Sequence, residues 1–148
     1  MKRLAAILSL TLICLAQGAK AQDLPVELTS ILYQVPDHLV ELDYSFSIVK
    51  DKVPVLFSGH AVLQSNCFHI SGNGLEIYCN GDTIEYRDYE RKEAYIESAV
   101  RLEDYIKDNI GSVKDFKATN VKVSPPTGDA SLFNAPAPGD GWVSTDLR

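Results

Sequence analysis

Four side chains in the middle of the chain have the chemistry to bind a metal ion: His60, Cys67, His69 and Cys79. Metal sites in proteins usually contain paired ligands two to four residues apart on a tight turn. Only Cys67 and His69 come near that spacing, and alternate residues of a strand lie far apart for this purpose. We therefore predict that the chain has no metal site.

The sequence also lacks the spacing patterns of common catalytic sites. It contains no Gly-x-Ser-x-Gly elbow, and no serine or cysteine stands at a recognisable spacing from a histidine. Glycoside cleavage needs two acids at a fixed separation across a cleft, whereas the carboxylates here alternate with apolar residues, as on the solvated face of a sheet. They include Glu41, Asp43, Glu76, Glu85, Glu93 and Glu97. We therefore predict that the protein is not an enzyme, has no catalytic residues and uses no cofactor.

Cys67 and Cys79 are a possible disulfide whose formation depends on the register of one hairpin. A two-residue loop at Asn73-Gly74 pairs Phe68 with Cys79 and leaves Cys67 on the opposite face, so that no bridge forms. A three-residue loop that starts at Gly72, or a bulge, pairs the two cysteines directly. The hydrophobic pattern favours the first register, and an oxidising compartment favours the second, so the sequence leaves both open.

The chain begins with a segment typical of a cleavable secretory signal peptide. Lys2 and Arg3 precede an uncharged apolar run over residues 4–16, and Ala19-Lys20-Ala21 is a small-x-small cleavage signal. The apolar run is too short for a transmembrane helix, which needs about 20 residues. We therefore predict an exported protein, with residues 1–21 as the signal peptide and residues 22–148 as a single domain.

The charge of the chain excludes some classes of partner. The full sequence has 14 basic and 20 acidic side chains, a formal net charge of −6, and loss of Lys2, Arg3 and Lys20 with the signal peptide changes this charge to −9. A surface this acidic repels phosphate backbones and anionic lipid headgroups. We therefore predict no nucleic-acid partner, and no lysine- or arginine-rich run supports electrostatic membrane binding.

Changes in hydrophobic period indicate the elements that would position these side chains. Apolar stripes at helical spacing predict helices over 24–35 and 99–110. Strict alternation, with Asn-Gly turns at 73–74 and 80–81, predicts an antiparallel meander of six strands over 39–97. Further strands are predicted at 116–123 and 142–147. Two helices over one apolar sheet face predict an α+β fold, either layered or an open barrel with a helix in its mouth.

Several short motifs occur in the same order as in a known protein family. They are Phe57-Ser-Gly59, Phe68-His-Ile70, the segment from Leu75 to Thr83 with its Asn80-Gly81 turn, Ile84-Glu-Tyr86, Glu93-Ala-Tyr-Ile96 and the closing segment Val143–Arg148. Together with the order of the elements, these motifs resemble the LolA-like periplasmic lipoprotein carriers. The chain departs from the family in being shorter after Ile96 and in having His69 where the family has the arginine that ties its lid to its barrel.

The resemblance implies a curved antiparallel sheet, an open half-barrel, that is covered by two helices in the periplasm. Its concave apolar surface would hold the acyl chains of lipoproteins or similar lipid cargo. An inner-membrane releasing complex and an outer-membrane acceptor are the implied partners, and we expect a monomer. The residues expected to line the surface are Leu42, Tyr44, Phe46, Phe57, Leu63, Phe68, Ile70, Ile77, Ile84, Tyr86 and Ile96.

The same apolar residues are also compatible with a filled core beneath the two helices. The chain would then be an exported protein–protein interaction or regulatory module on the same fold. An apolar pocket on the concave face, large enough for an alkyl chain, would favour the carrier, and a solid core would favour the module.

Overall fold

The computed structural model describes residues 24–110 and 113–148. The predicted signal peptide, residues 1–21, lies outside the described residues. Within them the elements, in chain order, are α1 (Val26–Gln34), β1 (Leu39–Lys50), β2 (Val53–Gln64), β3 (Cys67–Gly72), β4 (Leu75–Cys79), β5 (Thr83–Asp88), β6 (Glu93–Ser98), α2 (Leu102–Ile110), β7 (Lys114–Ser124), a 3-10 turn (Ala130–Phe133) and β8 (Val143–Asp146).

The strands form one open sheet in the order β7-β1-β2-β3-β4-β5-β6-β8. Strands β1 to β6 are the antiparallel meander that the alternating pattern predicts. Strand β7 pairs antiparallel with β1, and β8 pairs parallel with β6, so the last part of the chain supplies both edges of the sheet. The predicted α+β class, with a mostly antiparallel sheet and two helices, is confirmed.

The β3–β4 turn fixes the register that the sequence leaves open. Gly72 pairs with Leu75, and the two residues between them, Asn73 and Gly74, have φ angles of 52° and 76°. Positive φ at both central residues is typical of the type I′ turn, whose twist matches that of a hairpin. Phe68 therefore pairs with Cys79, and both Cys67 and Cys79 are free thiols.

This register gives the sheet two chemically different faces, because successive side chains of a strand point to opposite sides. We call the face that carries Leu42, Tyr44 and Phe46 of β1 the inner face. The outer face carries Glu41 and Asp43 of the same strand.

Both helices pack against the inner face and bury a single hydrophobic core with it. Helix α1 contributes Leu28 and Ile31, and α2 contributes Leu102, Tyr105 and Ile106. The strands contribute Val40, Leu42, Ala61, Leu63, Phe68, Cys79 and Ile84. The helical stripes predicted from the sequence thus cover the alternating apolar stripe of the strands.

The segment between β7 and β8, residues 125–142, crosses the outer face, and we call it the C-terminal strap. The side-chain amide of Gln64 donates to the carbonyl of Thr127 at 2.8 Å and accepts from its N–H at 2.7 Å. Farther along, the Arg87 guanidinium donates to the carbonyl of Pro136. These bonds hold the strap against the sheet from β2 to β5 and lead it to the opposite edge.

Candidate functional site

An apolar cavity of about 120 Å³ lies between the inner face and the two helices, and it is partly open to solvent. Its wall is built from the two helices, strands β1 to β4 of the meander and strand β7. Its lining residues are Leu28, Ile31, Leu42, Tyr44, Phe46, Phe57, Ala61, Leu63, Ile70, Ser71, Gly72, Leu75, Ile77, Tyr105, Ile106 and Phe116.

Most of the residues predicted to line a concave surface do line this cavity. They are Leu42, Tyr44, Phe46, Phe57, Leu63, Ile70 and Ile77. Phe68 and Ile84 are instead completely buried in the filled part of the core, and Tyr86 packs against that core without reaching the cavity.

Ile96 was predicted on the wrong face. It pairs with Glu85, and its neighbour Tyr95 pairs with Tyr86, so Tyr95 is the residue of β6 that shares the inner face. The β5–β6 register sets these faces, and Ala94, which pairs with Arg87 of β5 and Ser144 of β8, is buried on the outer face.

The cavity residues that the sequence prediction missed come mainly from the helices and β7. Leu28 and Ile31 belong to the predicted stripe of α1, but the sequence does not say which part of the sheet that stripe meets. Tyr105 follows Leu102 by three residues, a spacing that places both on one face of a helix. Phe116 reaches the cavity because β7 pairs with β1, a contact between distant parts of the chain.

The cavity has a closed end and an open end. At the closed end Leu28, Leu63 and Ile106 are almost fully buried. At the open end Phe46 and Phe57 are half-buried, and their rings stack with centroids 5.3 Å apart. These rings therefore form an apolar mouth in contact with both the cavity and solvent.

Tyr44 closes the middle of the cavity wall and depends on a pair of facing glycines. Its hydroxyl donates to the carbonyl of Ser71 at 3.0 Å, and burial raises its pKa to about 12. Gly59 and Gly72 pair beneath it, and a Cβ atom on Gly59 would lie 1.8 Å from the Ser71 oxygen. At neutral pH this wall therefore presents a neutral phenol whose proton is already donated to the backbone.

The outer face carries ionisable groups that pair with one another. His60 lies between two carboxylates, with Nδ1 2.8 Å from Asp43 and Nε2 2.9 Å from Glu41. The hydrogen bond to Asp43 raises the pKa of His60, and hydrogen bonds from Asn120 and His60 lower the pKa of Asp43. This cluster is largely exposed, and both ring nitrogens of His60 are engaged by the two carboxylates.

A second group on the outer face combines hydrogen bonds with ring stacking. His69 Nε2 lies 2.9 Å from Glu76, the Tyr78 hydroxyl donates to the same carboxylate, and the His69 and Tyr78 rings stack 4.1 Å apart. Burial would raise the pKa of Glu76, but the hydrogen bonds from Tyr78 and His69 outweigh it and lower that pKa. Among the described residues, no three or more His, Cys, Asp or Glu side chains are grouped to hold a metal ion.

Arg87 joins this group to the C-terminal strap. Its guanidinium is almost fully buried, donates to Glu85 at 2.5 Å and to the carbonyl of Pro136, and lies over the rings of Tyr78 and Trp142. Its Nε donates to the sheet and its Nη2 to the strap, so this arginine ties the two together.

Comparison with known proteins adds no family assignment. No protein-family model matches the chain, and no curated protein matches it with significant similarity. Within residues 24–110 and 113–148, neither helix is long and apolar enough to cross a membrane. The functional argument therefore depends on the cavity and its lining.

Proposed function

We propose that this protein is a non-catalytic carrier that shelters an alkyl chain of a lipid-like molecule in the inner-face cavity. The observation that carries this proposal is an apolar space of about 120 Å³ in the position where a filled core would otherwise lie. An enclosed apolar cavity of about 150 Å³ binds benzene, and the lining here is almost entirely apolar. The cavity is thus suited to an apolar ligand and unsuited to a polar substrate.

The size of the cavity limits how much of a ligand it shelters without rearrangement. By comparison with the benzene-sized cavity of about 150 Å³, the space accepts one compact apolar group or a short alkyl segment. Each additional CH₂ removed from water contributes about 0.8 kcal/mol. A longer chain gains that energy by extending over the half-buried rings of Phe46 and Phe57 or by displacing α1 and α2 from the sheet.

The motifs shared with the LolA-like carriers make acyl chains of lipoproteins the proposed cargo. With that resemblance we propose a half-barrel curvature of the sheet, a periplasmic location, a monomeric state and transfer between an inner-membrane releasing complex and an outer-membrane acceptor. His69, which stands in place of the family's lid arginine, lies on the outer face and contacts Glu76. Lid closure must therefore use contacts of α2 with the inner face, such as Tyr105 against Phe68, whose ring centroids are 5.3 Å apart.

The alternative, an exported protein–protein interaction or regulatory module, requires no internal space. The cavity favours the carrier over this alternative, because an unfilled volume forfeits dispersion contacts that a core optimised only for stability would make. A binding experiment distinguishes the carrier from the interaction module.

The experiment measures binding of the neutral apolar dye N-phenylnaphthylamine to the native protein and its displacement by palmitate. We expect a saturable fluorescence increase and competitive displacement. Ala61→Leu places a larger side chain in the cavity from β2. It should weaken dye binding at least about 10-fold, because the side chain then occupies the volume that the dye would fill. Ile77→Ala enlarges the cavity and should strengthen binding or increase its capacity.

Ile84→Val is the matched control, because Ile84 is completely buried but does not line the cavity. It should lower the free energy of unfolding by about 1 kcal/mol and leave the dye affinity unchanged. Circular dichroism checks that each variant is folded. Absence of dye and palmitate binding by the folded wild-type protein, or equal affinities for the Ala61 and Ile84 variants, would exclude the carrier.

A further inference from the structure

The free end of the β1–β2 hairpin carries aliphatic side chains that neither helix covers. Leu56 is 66% exposed, Val53 59% and Val49 36%, and Pro54 is exposed beside Val49, with which it pairs. Single exposed aliphatic residues are common on protein surfaces. Here Val49, Pro54 and Leu56 are neighbours on the outer face of the hairpin. Val53 lies on its inner face, so the end of the hairpin is apolar on both faces, which is typical of an interaction site.

Lysines from two distant segments surround this patch. The β1–β7 pairing places Lys114 beside Ser47 and Lys117 beside Ser45, at the end of the sheet where the β1–β2 turn lies. Residues 50–52 and 114–117 together hold four lysines and two aspartates, a formal charge of +2 in a chain whose net charge is −6. We call residues 49–56 with residues 114–117 the hairpin tip.

The hairpin tip borders the open end of the cavity. Phe46 and Phe57 pair with each other and form the stacked mouth, and Val49 and Pro54 pair three residues farther toward the turn. Phe116, which also lines the cavity, lies between two of the lysines of β7. The mouth and Val53 lie on the inner face, whereas Val49, Pro54 and Leu56 lie on the outer face at the same end of the sheet.

We propose that the hairpin tip docks this protein on the surface of a bilayer that contains anionic lipid. Aliphatic side chains flanked by lysines bind such a surface by burying apolar area at the headgroup boundary and by attraction to the negative lipids. The acidic remainder of the protein is repelled by the same surface. The tip is therefore the part that approaches the bilayer, and it brings the end of the sheet that carries Phe46 and Phe57 toward the lipid.

The charge pattern disfavours a second copy of the chain as the occupant of the tip. A symmetric dimer through this patch would bring identical residues together, and the four lysines of each copy would then oppose one another. A bilayer with anionic lipid complements the lysines and accepts the aliphatic side chains in the same contact.

The test uses protein expressed as the full chain and purified after export, with its N-terminus identified by intact mass, in flotation with lipid vesicles. Vesicles of phosphatidylcholine mixed with phosphatidylglycerol should bind the protein at least about 10-fold more tightly than phosphatidylcholine alone. Added salt should weaken the interaction, because it screens exposed charges. Equal binding to both vesicles, or none to either, would overturn the proposal.

Two sets of variants locate the contact. The double variant Val53→Ser with Leu56→Ser should weaken binding to the mixed vesicles at least about 10-fold, because it removes the aliphatic contact. The triple variant Lys50→Gln, Lys52→Gln and Lys114→Gln should weaken it by a similar factor, because it removes positive charge. All five positions are exposed, so the thermal midpoint should remain close to that of the wild type.

Matched controls change the same kinds of side chain elsewhere. Leu132→Ser removes an aliphatic side chain that is 39% exposed in the 3-10 turn, and Arg101→Gln, Lys107→Gln and Lys122→Gln together remove three positive charges outside the tip. Both controls should bind vesicles like the wild type, and a loss as large as that of the tip variants would exclude the tip. Sedimentation velocity of the free protein tests the second copy, since concentration-dependent dimerisation that Leu56→Ser abolishes would contradict membrane docking. Dye binding, measured on the same samples, reports the cavity separately.

Discussion

The two faces of the sheet differ in chemistry although the same alternating strands supply both. On the inner face, apolar side chains meet two helices and leave an unfilled space of about 120 Å³. On the outer face, ionisable side chains pair across neighbouring strands, and none of the buried side-chain nitrogen or oxygen atoms in the described residues lacks a hydrogen-bond partner. The buried polar groups of the described residues are therefore all paired, whereas the inner face retains unfilled apolar space.

This difference indicates which residues contribute most to the stability of the fold and which leave space for a ligand. The inner face itself has two parts: a filled part around Phe68 and Ile84, and the cavity beside it. Truncations in the filled part should be costly, those at the cavity mouth less so, and those in the exposed pairs of the outer face least of all.

Phe68→Ala should have the largest effect, lowering the free energy of unfolding by about 4 kcal/mol. Phe68 is completely buried and contacts Tyr105 of α2, so its removal opens a new cavity and loosens the helix. Phe57→Ala, at the half-buried mouth, should cost less than about 2 kcal/mol, because the lost ring was already partly in water. Urea unfolding followed by circular dichroism measures both, and equal losses would show that the two parts of the inner face do not differ.

Gly59→Ala should lower the free energy of unfolding by about 3 kcal/mol, since the added methyl group has no space to occupy. Its Cβ would lie 1.8 Å from the carbonyl oxygen of Ser71, and that carbonyl also accepts the hydrogen bond of Tyr44. Gly128→Ala is the control, because a Cβ at that position meets no atom within 4 Å. Thermal unfolding should separate the two variants clearly, and a neutral Gly59→Ala would mean that β2 and β3 shift apart without penalty.

Arg87→Ala should lower the free energy of unfolding by about 2 kcal/mol, because it leaves the carboxylate of Glu85 unpaired and removes a buried stem. It should also change the fluorescence of Trp142, the only tryptophan of the chain, since the guanidinium lies over its ring. Arg148→Ala breaks an exposed pair with Asp146 and should leave both the stability and the fluorescence of the protein close to wild type. An unchanged emission spectrum in Arg87→Ala would contradict the role of this arginine in holding the strap.

The smallest effect should come from the exposed cluster around His60. Its pKa is raised above the ordinary value of 6.5, chiefly by the hydrogen bond to Asp43, so its contribution to stability is complete below about pH 6.5 and is lost as the pH rises through the folded pKa. Asp43 has a lowered pKa and acts oppositely: its contribution is present above pH 3.8 and disappears as the pH falls through the folded pKa.

Asp43→Asn should therefore lower the titration midpoint of His60 measured by NMR, and salt should reduce the difference. Because both side chains are substantially exposed, the change in unfolding free energy should be smaller than for Phe68→Ala, Gly59→Ala or Arg87→Ala. A midpoint that Asp43→Asn leaves unchanged would show that this hydrogen bond does not form in solution.

Much of the fold could be predicted because local signals agree with tertiary packing. Alternation over 39–97 gave the meander, whereas the sequence left two registers open at Asn73-Gly74, and the structure has the one that separates Cys67 from Cys79. These features depend on side-chain period and turn geometry, which operate over a few residues. The same alternation identified most of the cavity wall on β1 to β4.

The failures arose where distant segments determine the environment. Ile96 lies on the outer face because β6 pairs with β5 so that Tyr95 stands opposite Tyr86, and the sequence near Ile96 does not reveal that register. Phe116 and the lysines of the hairpin tip acquire their neighbours only when β7 pairs with β1. The sequence predicts a strand in each place but not the strand with which it pairs. That pairing determines which residues line the cavity and which charged residues lie near its open end.

The position of the last strands has a consequence for how the chain folds. Each contact within the meander joins neighbouring segments, whereas Leu39 of β1 pairs with Ser124 of β7 across most of the chain. Contacts with long sequence separation form slowly, and synthesis delivers the N-terminal part first. The edge of β1 that faces β7 therefore remains unpaired until residues 114–124 have been synthesised and have folded onto it. Until then its backbone hydrogen-bonding groups can pair with other chains. Faster closure of this edge, for example in a circular permutant that places β7 before α1, should reduce aggregation during refolding.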